Sequence, residues 1–310
     1  MPPSEITVSR HQPVMAPQVK DFSAVAPSGI RVDGTVGGGG HAQVLLEYVG
    51  MNSSLFCFDR DPEALKRAQQ RLGDDPRIHY LLSSYADVES YLEAESVAFI
   101  LLDLGLSTDQ LLSARGFAHN QDSPLDMRFD PHEEITAAQI INRYSIAQLR
   151  DILFRYGEEP LAPRIARRIA EARKTGMVQT TAQLKEIVQE ATPERFRIKA
   201  LARVFQALRI AVNREIEHLE RGLTACWKVL QKDGVFCILS YQSIEDRRVK
   251  RFFAEKARGC ICPPRFPICA CGVKPSAKVL TPSALKPTAP EIRTNPAARS
   301  AHLRAAVKIG

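Results

Sequence analysis

Apolar residues fall along this chain in two alternating patterns. Short apolar runs bounded by turn residues, Ile30 to Val32, Leu55 to Phe58, His79 to Leu82 and Ala98 to Leu102, have the length of strands. Between them lie stretches with helical spacing, such as Pro62 to Leu72, where Asp61 is placed as the N-cap. This alternation predicts an α/β fold with a mainly parallel sheet. A fifth strand, Val235 to Tyr241, arrives only after a long gap. Within that gap Ser145 to Tyr156, Pro163 to Lys174 and Thr181 to Ala191 carry apolar residues at i, i+3 and i+4, the third with Thr180 or Thr181 as its cap. They predict a helical insertion of about ninety residues. Ala200 to Leu230 reads as one long helix, broken near Gly222, that leads through the turn Lys232-Asp233-Gly234 into the fifth strand. The tail from Pro263 onward is rich in proline and bases and reads as extended structure on the surface.

The segment Asp33-Gly-Thr-Val-Gly37-Gly38-Gly39-Gly40-His41 follows the first strand and opens a helix, so its backbone can approach a ligand closely. Nucleotides, dinucleotides and S-adenosylmethionine all use such loops. Asp33 would repel a pyrophosphate but suits the ammonium of a methionine moiety, and no Gly-Lys-Ser/Thr follows to make a P-loop. Asp59 ends the second strand, where a carboxylate can accept hydrogen bonds from both ribose hydroxyls of an adenosine. Tyr85, just past the third strand, is placed to pack on adenine, and Asp103 closes the fourth at the mouth of the sheet. Asp33 and Asp59 also read as helix caps, and Tyr85 as ordinary core.

Charge adds a second theme. Residues 1–108 carry 14 acids and 8 bases (net −6), and residues 109–310 carry 21 acids and 34 bases (net +13). A basic lobe beside a cofactor lobe suits a polyanionic substrate, although a solvated basic surface gives the same count. No apolar run approaches the ~20 residues of a membrane helix, and the first 28 residues lack the apolar stretch of a secretory signal, so a cytoplasmic protein without a membrane partner is expected. Seven cysteines in that compartment are expected to be reduced thiols. Cys260, Cys262, Cys269 and Cys271 form two Cys-x-Cys pairs that could place four thiolates around one zinc ion; they read equally as free thiols in a proline-rich segment.

With Asp103-Leu-Gly-Leu-Ser107, Gln110-Leu-Leu, Arg115-Gly-Phe117 and Pro124-Leu-Asp-Met-Arg128, the sequence closely resembles the bacterial family of 16S ribosomal RNA cytosine N4-methyltransferases. The likeness also takes in His11-Gln-Pro-Val14, Tyr156-Gly-Glu-Glu159, Phe205 to Asn213, Ser243-Ile-Glu-Asp-Arg247 and Asn295 to Arg304. It implies a Rossmann-like S-adenosylmethionine-dependent methyltransferase sheet over 1–108 and 200–310, with an inserted all-helical substrate-recognition domain over 109–199. It further implies methylation of a decoding-site cytidine on its exocyclic amine, with small-subunit ribosomal RNA as partner, within a ribosomal particle. By motif the cofactor contacts are Gly39, Gly40, His41, Asp59, Tyr85, Asp103 and Gln110, to which the loop itself adds Asp33 and Gly37. Asp103, Asp126 or a backbone carbonyl of the Asp103 to Ser107 loop are the candidate acceptors on the amine, with pairing of Asp126 to Arg128 as the structural alternative, and Phe117 or Tyr241 could stack on the base. Carbon-5 methylation is disfavoured because no cysteine lies beside Asp103. This chain departs from the family at Ser123, usually Gly, at Ala297 and Ala298, usually a more basic pair, and in the run Ser240-Tyr-Gln-Ser-Ile244, usually Ser-Phe-His-Ser-Leu. A methyltransferase for another substrate and a ribosome-assembly factor that binds RNA without turnover stay open, as does the choice between monomer and homodimer.

Overall fold

The computed structural model describes residues 12–258, 262, 268 and 271–310. The chain divides into two compact units, one made of residues 1–105 with 217–310 and the other of residues 106–216.

The first unit is a seven-stranded sheet, β1 (Ile30–Asp33), β2 (Leu55–Asp59), β3 (Ile78–Leu82), β4 (Val97–Asp103), β5 (Leu230–Ser240), β6 (Ala277–Val279) and β7 (His302–Lys308), in the order β3-β2-β1-β4-β5-β7-β6. The first five strands are parallel, and β7 runs antiparallel to β5 and β6. Helices cover both faces, so the central strands are apolar throughout rather than alternating with polar residues. In β4, Phe99 and Leu101 join one core, beneath α1 (Ala16–Val25), α2 (Gly40–Leu46) and α3 (Pro62–Leu72). Ile100 and Leu102 join the other, which includes Leu219, Leu223 and Trp227 of α10 (Glu215–Val229) and Phe253 of α11 (Ser243–Arg258). α3 starts where its sequence says it should: Asp61 accepts the Glu63 N–H at 3.1 Å and Pro62 occupies the first turn. The fold is the α/β class expected, with the strands at their expected places.

The second unit holds α4 (Thr108–Leu111), α5 (Ala137–Arg143), α6 (Ile146–Gly157), α7 (Ala162–Ala172), α8 (Thr181–Ala191) and α9 (Arg197–Asn213) around its own apolar core, including Ile140, Leu153, Ile165, Leu184 and Leu208. Thr180 caps α8 in a reciprocal capping box with Gln183. Among the described residues, no helix is long and apolar enough to cross a membrane.

Three features differ from expectation. The long helix over 200–230 is two helices, and it breaks at Arg214 (φ 51°) rather than near Gly222. Gly222 serves a different need: a Cβ there would come within 2.3 Å of the Tyr85 ring. The break leaves α9 in the helical unit, so the boundary falls at 216/217 instead of near 199. Secondly, the turn Lys232-Asp233-Gly234 lies within β5, where Asp233 takes a φ of 63° and the register to β4 shifts, so it acts as a bulge in one strand rather than as a lead-in. Thirdly, the end of the tail does not lie on the surface. Strand β7 lies inside the sheet between β5 and β6, with Leu303, Ala305 and Ala306 fully buried. Its two cations are neutralised inside: Arg304 donates to both oxygens of Asp246 at 2.7 and 3.0 Å, and Lys308 Nζ donates to the carbonyls of Leu230 (2.7 Å) and Trp227 (3.2 Å).

Candidate active site

Parallel strands of an open sheet collect ligands at their carboxyl ends, and there the first unit gathers its acids. Asp33 ends β1 and is fully buried. Its Oδ1 accepts the Thr35 N–H at 3.2 Å, whereas Oδ2 has no hydrogen-bond partner. Burial pushes the Asp33 carboxyl up to about 7, against the pull of His41 and the Thr35 N–H, and the nearby Asp103 and Asp59 charges add to the rise. Asp59 ends β2 and ties the glycine loop to α3, its Oδ2 accepting the Gly37 N–H and its Oδ1 the Asp61 N–H, both at 2.9 Å. Burial raises it to about 6 in spite of those bonds. The Arg60 N–H also bonds to this carboxylate, and of the roughly four lone pairs a carboxylate offers about one remains for a ligand.

The loop between these acids is shaped by its glycines. Gly39 has a φ of 79°, and a Cβ on it would sit 3.2 Å from the Ala68 backbone of α3, so a larger residue is strained there and crowded as well. Gly40 opens α2, and the next residue, His41, is buried with neither ring nitrogen hydrogen-bonded. Its Nε2 lies 3.4 Å from Asp103 Oδ2.

Asp103 ends β4, where its N–H donates to Thr35 Oγ1 at 2.7 Å and its Oδ1 accepts the Tyr241 hydroxyl at 2.8 Å. Tyr85 packs against Gly222 of α10 and belongs, partly buried, to the apolar core of that face. The fold thus brings Asp33, Gly37, Gly39, Gly40, His41, Asp59 and Asp103 to one end of one sheet. A cofactor with an ammonium and a ribose fits this donor set: buried Asp33 Oδ2 and the His41 nitrogens lack protein partners, which costs about 1–3 kcal/mol per group when nothing binds.

The remaining candidates lie in the helical unit. Gln110 forms a capping box with Ser107 at α4, its Oε1 accepting the Ser107 N–H at 3.1 Å. Asp126 accepts three hydrogen bonds from Arg128, from its backbone N–H at 3.0 Å and its guanidinium Nε and Nη2 at 2.8 Å. Burial alone would raise this carboxyl, but Arg128 outweighs it and holds Asp126 below the usual carboxylate range. Both Asp126 oxygens are therefore engaged by Arg128. Phe117 is buried and stacked on Phe129 at 5.6 Å, which makes it core and not a platform for a base. Ser123 is also structural: its N–H donates to Thr181 Oγ1 at 3.0 Å and its carbonyl accepts the Thr181 N–H at 2.9 Å. Of the four candidate zinc ligands, Cys260 and Cys269 lie outside the described residues, and among the described residues no group of three His, Cys, Asp or Glu side chains could hold a metal.

Three roles escape a reading of the sequence. Thr35 and Tyr241 hold Asp103 from 68 and 138 residues away. Asn213 joins distant segments of the helical unit, accepting the Phe129 N–H at 2.7 Å and donating to the Met127 carbonyl at 2.7 Å. A usable signal for Tyr241 was its place just past β5, the strand beside β4 in the sheet.

The sequence is similar to that of known proteins over nearly its whole length. A family model described as the MraW methylase family matches residues 8–309. The ribosomal RNA small subunit methyltransferase H of Syntrophotalea carbinolica is 44% identical over 306 residues, covering 96% of this chain and 98% of its own. The proteins of the same name from Desulfosudis oleivorans and Trichlorobacter lovleyi are 43% and 42% identical, each covering 97% of this chain, with 99% and 98% of their own lengths. A match of this extent takes in both units and every candidate residue above, and the chain belongs to the MraW methylase family.

Proposed function

We propose that this protein transfers a methyl group from S-adenosylmethionine to the exocyclic N4 amine of a cytidine in small-subunit (16S) ribosomal RNA, at the decoding site, in the cytoplasm. The relatives' shared name points to the RNA, and the motif resemblance points to the cytosine amine. The observation that carries the reading is the buried, unpartnered Asp33 Oδ2 beside unpartnered His41 at the mouth of the sheet. Asp33 would take the ammonium, Asp59 the ribose hydroxyls, and the Gly37 to Gly40 backbone would let the methionine moiety close in; Tyr85 and Gln110 follow by resemblance.

When bound, S-adenosylmethionine supplies a methyl group on a sulfonium that leaves as a neutral thioether. The protein's share is to orient the amine and to take its proton. Cytosine's amine is a poor nucleophile because its lone pair is delocalised into the ring, so positioning supplies most of the rate. The Asp103 carboxylate would accept a hydrogen bond from the amine and take its proton when the methyl group is transferred. Asp103 suits this better than Asp126, because its Oδ2 has only the long His41 contact whereas Arg128 occupies both Asp126 oxygens.

The helical unit is the proposed RNA-docking body. On α7, Arg164 and Arg167 are exposed, whereas Arg168 pairs with Glu190 and Glu171. Replacing Arg164 and Arg167 with Ala should weaken RNA binding and lower its salt slope by up to about two units, leaving cofactor affinity unchanged. Wild-type RNA affinity in that variant would overturn the docking role alone. For the reaction itself, tritiated-methyl transfer should be compared on immature small subunits, assembled subunits and naked RNA, and the modified nucleotide identified by mass spectrometry. Methyl groups on carbon-5, on another base or on protein would refute the N4-cytidine reading, and RNA binding without transfer would mark an assembly factor.

A further inference from the structure

The loop that follows β4, Asp103-Leu-Gly105, is gripped at both ends by one side chain. Tyr241 donates its hydroxyl to Asp103 Oδ1 at 2.8 Å. Its ring also lies on Gly105, where a Cβ would come within 3.2 Å of Tyr241 Cδ2 and where the backbone has a φ of 118°. Glycine at 105 therefore meets two demands at once, a left-handed backbone and room for the ring. The tyrosine is itself anchored: Glu245, buried in the first turn of α11, accepts the Tyr241 N–H at 3.1 Å and the Gln242 N–H at 3.2 Å. Its phenol is held well above its usual range by burial and by the Asp103 carboxylate, so it stays a donor at neutral pH.

We infer that Tyr241 is a positioning residue for Asp103: its hydroxyl fixes the carboxylate rotamer and leaves Oδ2 as the oxygen that faces the reaction. The inference rests on Asp103 being the proton acceptor. With Oδ1 engaged by Tyr241 and the backbone N–H held by Thr35 Oγ1 at 2.7 Å, the carboxylate has little freedom to turn. Oδ2 touches only His41, at 3.4 Å. A base must lie within a few tenths of an ångström of hydrogen-bonding distance to its proton, so a carboxylate free to rotate spends less time in the productive pose. By the resemblance described above, the family usually has Phe at this position, so the hydroxyl is a departure of this chain. Because the ring is occupied with Gly105 and the hydroxyl with Asp103, Tyr241 is assigned to the carboxylate in place of the stacking role its sequence position suggested.

The test uses the full-length protein. Tyr241→Phe keeps the ring against Gly105 and removes only the hydroxyl, so the fold is retained. Methyl-transfer kinetics on immature small subunits should show kcat lower by about tenfold, with KM for RNA and the calorimetric affinity for S-adenosylmethionine within about twofold of wild type. In a double-mutant cycle with Asp103→Asn, the double variant should be no slower than Asp103→Asn alone. A crystal structure of Tyr241→Phe should show the Asp103 carboxylate rotated or in more than one conformer, a readout that needs no turnover. An unchanged kcat, multiplying losses in the cycle, or an Asp103 rotamer identical to wild type would each overturn the positioning role. Full turnover in Asp103→Asn would instead remove Asp103 as the acceptor, a separate failure that the rotamer measurement tells apart.

Discussion

The glycine loop from Asp33 to His41 and the loop from Asp122 to Arg128 both look like parts of an active site in the sequence, yet they solve opposite problems. The first buries Asp33 and His41 and leaves Asp33 Oδ2 and both His41 ring nitrogens without a hydrogen bond; the second wraps Asp126 in three hydrogen bonds from Arg128. The electrostatics follow the same division. Asp33 and Asp59 are pushed up to about 7 and about 6 by burial, whereas Asp126 is held below its ordinary range. Buried polar atoms are nearly always satisfied, so a cluster that is not satisfied marks a place where the missing partner comes from outside. Asp126 has its partner beside it in Arg128, and its loop, tied to Gln179, Thr181 and Asn213, reads as a device that shapes the helical unit.

The comparison breaks most readily at Asp59. Asp59→Ala should weaken S-adenosylmethionine binding by about 1–3 kcal/mol, because two ribose hydroxyls lose a charged acceptor. It also frees the Gly37 and Asp61 N–H groups. Calorimetric titration measures the loss and circular dichroism checks that the fold survives. Unchanged affinity in a folded variant would remove Asp59 from the ribose.

The raised acids sharpen the comparison through pH. Because the folded-state values of Asp33 and Asp59 lie above their unfolded values, their contribution to stability is fully present below about pH 4 and is lost as pH rises through about 6 to 7. The cofactor-free protein should therefore melt at a lower temperature at pH 8 than at pH 5, and the difference should shrink in Asp33→Asn. Cofactor binding should follow the opposite course, since an ammonium requires the ionised Asp33 carboxylate: affinity should fall by up to about tenfold per pH unit as the pH drops below about 7. The groups facing Asp33 are His41, Asp103 and Asp59. Calorimetry from pH 5 to 8 that finds constant affinity would count against Asp33 as the ammonium site.

How much of this was legible in the sequence depends on how local the cause is. Strands β1 to β4, the cap of α3 and the acids ending β1, β2 and β4 follow from patterns spanning about ten residues, and they were readable. Strand β7 was not. Its Arg304 and Lys308 look like surface charges until Asp246 and the Trp227 and Leu230 carbonyls, 58 to 81 residues away in the chain, are brought against them. The helix break at Arg214 was hidden for a related reason. Gly222 is the obvious weak point, but it is glycine in order to admit the Tyr85 ring, whereas Arg214 takes the left-handed conformation between α9 and α10. The hold of Tyr241 on Asp103 is likewise a product of the sheet order and of no local pattern.

The smallest expected effect on the cofactor, and the sharpest control, comes from Asp126→Asn. An amide can accept from Arg128 on one side only and turns an N–H₂ toward the guanidinium on the other, so one of the paired bonds at 2.8 Å is lost. Hydrogen bonds to charged groups contribute about 1.5–3 kcal/mol, and part of that loss should appear as a lower melting temperature. The Arg128 guanidinium would keep its bonds to the Pro131 and Glu133 carbonyls at 2.8 and 2.7 Å, which limits the damage to the loop. Affinity for S-adenosylmethionine should stay within about twofold of wild type, because Asp126 and its partners all belong to the helical unit. Methyl transfer should fall no further than the loss of folded protein explains. If Asp126→Asn instead abolished turnover while the protein stayed folded and bound its cofactor normally, Asp126 would be the proton acceptor after all, and the contrast between the two loops would be wrong in its main point: a carboxylate held low by an arginine would be carrying the chemistry.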